Sequence, residues 1–305
     1  MNKKMAFLFI AFGASLWGII GVFVTYLNEI GFTSVQIVAI RTISATIFLV
    51  VYVFFKNRRL LKIRVTDSKY FIGTGIFSIV LFNWCLFSAM EETSISIATI
   101  LLYTAPAFVT IIARFLFKEL FTVRKLLALL ITFIGCGFVV GVVPATSEPI
   151  SFYGLILGLG SGFFYALYSI FGKFALRKYN SLTVTVYTFL FAMIAITPFS
   201  NLWSVFPLFS TLEVWLYIIG LGFLSTMLAF IFYTIGLNRV ESSQASIIAT
   251  VEPVVASLAS FVIFQERLNY WQYFGIILVI LAVIIVQESA KKSKLVKSRN
   301  ASLSK

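Results

Sequence analysis

Ten long apolar runs, each close to 20 residues and parted from the next by a short polar joint, constrain this chain more than any other feature. They cover residues 5–27, 35–55, 70–90, 95–117, 125–143, 152–173, 182–201, 213–236, 244–264 and 270–288. An α-helix rises about 1.5 Å per residue, so about 20 residues cross the ~30 Å hydrocarbon core of a bilayer. Inside lipid every backbone polar group must bond within the protein, and a helix achieves this locally. With 60% hydrophobic and 11% charged residues and a mean hydropathy of +1.02, the 305-residue chain has too few polar side chains to cover a water-soluble domain. The expectation is an all-α integral membrane protein of ten transmembrane helices. The first run follows Lys3 and Lys4, as in a signal peptide. It is longer than a signal h-region, lacks a small-x-small cleavage site and is followed by further spans, so it is read as the first span.

The charges test the count. With the N-terminus inside, the inner segments hold Lys3, Lys4, the cluster from Lys56 to Lys69, the stretch Arg114 to Lys125, Lys173 to Lys178, Arg239 and the cations after Lys291. The outer loops hold one cation, Arg267, beside Glu29, Glu91, Glu92, Glu148, Glu213 and Glu266. This asymmetry is the one the positive-inside rule demands, and a miscounted span would invert every later loop. It places the protein in the cell membrane with both termini cytoplasmic. It also disposes of nucleic acid as a partner despite the net charge of +13, because the cations lie in short joints and tails between apolar runs.

Several chemistries are excluded. The chain has no histidine, and its two cysteines, Cys85 and Cys136, both fall inside apolar runs. No His-based relay, Ser-His-Asp arrangement, disulfide framework or metal site is therefore expected, and no cofactor. No phosphate-cradling glycine loop points to nucleotide hydrolysis, and no convergent nucleophile, base or metal set points to an enzyme.

The chain is doubled. Pro106 and Glu119 recur as Pro253 and Glu266, both at a shift of 147 residues, and the same shift carries Ala98 to Ala245 and Ile100 to Ile247. Trp17-Gly18 corresponds to Tyr165-Ala166 with one residue of slippage. The halves are residues 1–147 and 148–290, five spans each, followed by a basic tail, 291–305, expected to be disordered. Five is odd, so the second copy lies upside down relative to the first. Inverted repeats of this kind recur in secondary transporters, whose sites lie near the midplane between the copies.

The fourth and ninth spans carry matching polar stripes. Thr99, Tyr103, Pro106 and Thr110 share one helix face, and the shift of 147 maps them onto Ser246, Thr250, Pro253 and Ser257. Such hydroxyls either face a cavity or bond back to their own helix. As a set they are assigned to the cavity, and Pro106 and Pro253 are read as helix-breaking positions that free backbone carbonyls. Glu252 stands about eight residues, or ~12 Å, into its span. A carboxylate there binds a substrate amine, exchanges protons or holds a structural bond. Arg41, ~9 Å below the outer end of its span, pairs with Glu252 or snorkels outward. Asn83, Tyr165, Tyr168, Tyr187 and Tyr233 are further candidates for a cavity lining. Glycines repeat every four residues at Gly154, Gly158 and Gly162, and at Gly137 and Gly141, as in helices that pack backbone to backbone, and they leave the oligomeric state open.

Ten spans, two inverted five-span copies, Trp17-Gly18 in the first span and the repeated Pro…Glu spacing together resemble the EamA-type family of the drug/metabolite transporter superfamily, over residues 6 to 288. Glu252-Pro253 followed by Glu266 is similar to that family's second-half signature. The resemblance implies a carrier of small organic metabolites such as amino acids, often an exporter, working by alternating access. It implies peripheral fifth and tenth spans, and a central pathway among the others to which Trp17 contributes. The lipid bilayer, a small-molecule substrate and, as a candidate coupling ion, the proton are the expected partners. The first half departs from the second at Ala105, where the second carries Glu252, so any role of that carboxylate is not doubled.

Overall fold

The computed structural model describes residues 2–142 and 151–303, with side-chain surroundings given through residue 287. Glu148 and the junction of the two halves at 147–148 lie outside the described residues. The described chain is helical, with no strands. The long helices are α1 (Lys3–Ile30), α2 (Ser34–Leu61), α3 (Val65–Glu92), α4 (Ile95–Phe117), α5 (Val123–Val139), α6 (Phe152–Ala175), α7 (Ser181–Phe199), α8 (Leu212–Leu237), α9 (Ser242–Ile263) and α10, whose apolar part is Tyr270–Gln287. Among the described residues nine of these are long and apolar enough to cross a membrane; α5, at 17 residues, is one residue short of that length. After Gln287 the helix of α10 runs on to Leu303, where a disordered tail was expected. Residues 288–303 hold no glycine or proline and four lysines, so a helix already nucleated extends at little cost.

Local chemistry sets the joints. Thr33 and Gln36 form a reciprocal capping box at the start of α2, and Ser94, Thr122, Ser151 and Asn180 accept backbone N–H groups at the starts of α4 to α7. Gly31, at φ 115°, closes α1, because that left-handed geometry suits a residue without Cβ.

The repeat is visible in the backbone at the same shift. A π-helical stretch occupies Ile72–Leu81 in α3 and Gly220–Leu228 in α8. Within α4 the helix breaks between Leu102 and Ala105, and within α9 it breaks at Thr250. After these helices Lys118 and Gln265 take left-handed φ values of 56° and 55°. There Glu119 N–H donates to the Ala113 carbonyl at 3.3 Å, and Glu266 N–H to the Ser260 carbonyl at 3.4 Å. Pro106 and Pro253 each stand in the first turn beyond the break, where a missing N–H costs no helical bond.

Packing crosses between the halves. Helix α1 lies against α8 and α9, its repeat partner α6 lies against α3 and α4, and α2 packs on α7 and α8. The stripe of α6 is internal: a Cβ at Gly158 would collide with Leu101 Cδ1, and one at Gly162 would stand 2.5 Å from Thr104 Oγ1 and 2.9 Å from the Leu101 carbonyl. Helices α5 and α10 pack chiefly on each other, with Gly135 facing Gly275, at the periphery of the other eight.

Alternation of the helices puts the basic joints on one face, that of the N-terminus. This face is tied across the halves. Asp67 accepts from Lys178 Nζ (2.6 Å) and Tyr179 Oη (2.7 Å), and the bond to Asp67 holds the Lys178 ammonium above the usual lysine pKa. Thr183 and Tyr187 hydroxyls donate to the carbonyls of Leu60 and Leu61.

Candidate functional site

Between the halves lies a cavity of about 300 Å3, lined by α1, α2, α3, α4, α6, α8 and α9 and by no residue of α5, α7 or α10. Its walls run from the middle of the bundle toward the face opposite the N-terminus, where Val24, Ser34 and Met90 stand at the mouth. Its floor is aromatic. The Trp17 ring stands 4.8 Å from Phe230, 4.9 Å from Tyr233 and 6.3 Å from Tyr165, centroid to centroid. Hydrogen bonds lock that floor: Tyr168 Oη to Thr234 Oγ1 and Ser169 Oγ to Tyr233 Oη, both at 2.6 Å.

Two charged side chains enter this apolar setting. Glu252 is in the first turn beyond the break of α9, which turns it toward the cavity. Close approach of α1 seats that turn. A Cβ at Gly18 would lie 2.7 Å from both the Glu252 carbonyl and Val255 Cβ, so only glycine admits this contact. Tyr165 Oη donates to Glu252 Oε2 at 3.2 Å. Arg41 lines the same cavity from α2 at 7% exposure. It does not snorkel, and it faces the cavity that Glu252 also lines. Among the described residues no carboxylate makes an ion pair with it, and its Nε meets no acceptor. A buried guanidinium without hydrogen-bond acceptors is costly, and the opposite charge that shares its cavity is Glu252.

Of the candidates read from the sequence, Trp17, Arg41, Asn83, Thr99, Tyr103, Tyr165, Tyr168, Tyr233 and Glu252 line the cavity. Asn83 Nδ2 donates to the Ile79 carbonyl at 2.7 Å. Thr110, Ser246, Thr250 and Ser257 do not line it, and Tyr187 does not. Thr110 Oγ1 donates to the Pro106 carbonyl at 2.7 Å, Ser246 Oγ to Ser243 at 3.0 Å and Thr250 Oγ1 to Ile247 at 2.6 Å. These hydroxyls bond back to their own helix, as does that of the cavity-lining Thr99 to the Ile95 carbonyl at 2.6 Å, and the polar stripe of α9 lies outside this cavity. Ser257 is half-buried outside the cavity. Ser78, Phe82, Ser169 and Phe230 line it without having been singled out; in a chain with 34 Phe, no spacing distinguishes a lining ring from a packed one.

A family model described as the EamA-like transporter family matches residues 4–141 and again residues 152–287. The chain belongs to the EamA-like transporter family. It is 28% identical over 283 residues to an "Uncharacterized transporter" of Archaeoglobus fulgidus, covering 91% of this chain and 96% of that one. It is 25% identical over 300 residues to "Uncharacterized transporter YxxF" of Bacillus subtilis, covering 95% and 92%. A solved structure, "Crystal structure of protein", superposes with a TM-score of 0.77 at 17% identity over 95% of this chain and 99% of that one, and it supports the fold alone. This EamA-like protein is thus a multi-pass membrane transporter, and the family model matches it twice in succession.

Proposed function

We propose that the protein is a secondary active carrier that exports small organic metabolites of the amino-acid type from the cytoplasm by alternating access. The observation that carries this reading is the cavity between the inverted halves, open toward one face, with a buried unpaired guanidinium and a carboxylate in otherwise apolar walls. Arg41 suits a substrate carboxylate, Glu252 a substrate amine, and the Trp17, Tyr165 and Phe230 rings an apolar side chain. Binding such a zwitterion satisfies both charges at once, which an apolar compound does not. With the basic joints cytoplasmic, both termini lie inside and the cavity faces out, the state in which an exporter releases its cargo. Glu252, freed when substrate leaves, is the group through which protons couple to return of the empty carrier.

The test compares metabolites in the medium of cells expressing the wild type, Glu252→Gln or an empty vector, with the protein confirmed in the membrane. Amine-and-carboxylate compounds enriched with the wild type and not with the variant support the reading. Equal enrichment by both keeps export and removes Glu252 from the mechanism. No difference from the empty vector turns the reading toward import or a non-transporting role on the same scaffold.

A further inference from the structure

The repeated glutamates of the 4–5 and 9–10 joints have the same backbone setting and opposite surroundings. Glu119 is buried, at 8% exposure. Its Oε1 accepts the Ser242 backbone N–H at 2.7 Å, and its Oε2 accepts the Ser243 N–H at 3.2 Å and the Ser243 hydroxyl. Ser242 and Ser243 open the first half of α9, where N–H groups have no partner inside the helix. A carboxylate from one half of the protein thus caps a helix of the other, in the position where a helix dipole favours negative charge. Behind this tie the Ser242–Ala249 segment packs on Ala105–Phe117, and the N-terminal face is closed.

Subtracting 147 from Ser242 and Ser243 gives Ile95 and Ser96, the opening residues of α4 at the opposite face. Glu266 has the backbone of Glu119 but is exposed, and it accepts no hydrogen bond from a described side chain or backbone N–H. The repeat-related helix pair, Ile95–Leu102 and Val251–Ile263, makes no packing comparable to that at the closed face. One copy of the contact is made and the other is broken. The broken copy lies on the side where the cavity opens.

We propose that these two carboxylates are alternating latches: Glu119 caps Ser242–Ser243 when the N-terminal face is closed, and Glu266 caps Ile95–Ser96 when the opposite face is closed. This rests on the alternating-access reading above. The latches are unequal. Lys125 stands 3.8 Å from Glu119 and also pairs with Glu241, whereas the repeat counterparts of Lys125 and Glu241 are Gln272 and Ser94. The closed face here therefore carries the stronger latch, and the outward-open state is the resting one.

The experiment uses the full-length protein in proteoliposomes and a membrane-impermeant maleimide, with one of two reporters: Ser246→Cys, buried on the latched half-helix, and Ser34→Cys, at the cavity mouth. Cys85 and Cys136 are buried, at 4% and 0% exposure, and the protein without a reporter gives the background. Releasing a carboxylate that holds several hydrogen bonds shifts a two-state balance about tenfold. Glu119→Gln is expected to raise labelling of Ser246→Cys about tenfold from the N-terminal face and to lower that of Ser34→Cys. Glu266→Gln is expected to lower labelling of Ser246→Cys further. Ser243→Ala, which keeps the carboxylate and removes one donor, gives a smaller shift in the direction of Glu119→Gln and guards against misfolding of the charge variant. Labelling that ignores both glutamates, or moves the same way in both, overturns the proposal. Substrate counterflow measured on the same vesicles separates the two failures: counterflow with indifferent labelling defeats the latches alone, and absence of counterflow from the wild type defeats the carrier reading.

Discussion

At the scale of the residue, the cavity is defined by two charges and one absent side chain. Arg41 buries its guanidinium in the cavity that also holds Glu252, makes no ion pair among the described residues and leaves its Nε without an acceptor, which under the proposed function is the place of a substrate carboxylate. Arg41→Gln keeps much of the volume and removes the charge. Counterflow in proteoliposomes should then show an apparent KM raised at least tenfold, with the protein still inserted and monodisperse. Arg41→Lys should recover only part of that loss, because an ammonium cannot offer the planar fork. An unchanged KM for Arg41→Gln would remove the guanidinium from substrate binding. Gly21 lines the same cavity, and a Cβ there meets nothing within 4 Å. Gly21→Leu should therefore reduce transport while leaving thermal stability in detergent within a few degrees of the wild type. Loss of stability in step with transport would show that the space is structural. Glu252 and Arg41 were legible in the sequence because a charge inside an apolar run is expensive whatever its neighbours. The hydroxyls of α9 were not. A serine or threonine satisfies itself on the carbonyl three or four residues back, and helical spacing looks the same whether or not it does so.

At the scale of the element, position in the cavity depends on irregular turns. The π-helical stretch Ile72–Leu81 sets the angle at which Phe82, Asn83 and Leu86 leave α3, and the stretch in α8 at Gly220–Leu228 does the same for Phe230 and Tyr233. Deleting Phe77, an exposed residue of the first stretch, would rotate everything beyond it by about 100°. Insertion and expression should survive, since α3 keeps a span's length, while counterflow should be lost. Retained counterflow would mean that the stretch does not orient the site. Close packing gives a second expectation. Gly162→Val drives a side chain into Thr104 Oγ1 and the Leu101 carbonyl and should destabilise by about 1–3 kcal/mol in thermal melts. Gly137→Ala meets only the Ile100 side chain, at 3.7 Å and beyond, and should be nearly silent. The all-helical membrane fold, the doubling and the glycine stripe of α6 were readable from runs, shifts and spacing, whereas the Gly137–Gly141 spacing marks no close contact, since Gly141, at φ 78°, faces open space. The π turns and the break of α1 at Ile19 were not readable: Gly73, Gly75, Gly220 and Gly222 fall in the π stretches and Gly18 and Gly21 flank Ile19, but α6 carries as many glycines without a break, so glycine alone does not mark where packing bends a helix.

At the scale of the whole molecule, the two halves are folded into each other rather than side by side. The main neighbours of α1 and α2 are α7, α8 and α9, and those of α6 are α3 and α4. The N-terminal face is fastened by bonds that cross the division: Glu119 to α9, Asp67 to Lys178 and Tyr179, and Thr183 and Tyr187 to the end of α2. Each half alone would expose to lipid the buried polar groups that the other half satisfies, at a cost of several kcal/mol for each unpaired group. Separate expression of residues 1–147 and 148–305 should therefore yield two chains that are degraded or aggregate. Their co-expression should yield a complex that copurifies on a tag carried by one half and supports counterflow. The basic joints of the second half are numerous enough to orient it without the first, so a failure of co-expression would not come from reversed insertion. A monodisperse, stable single half would mean that the core of each copy closes on itself, and the cavity would then have to be sought within a half instead of between the two.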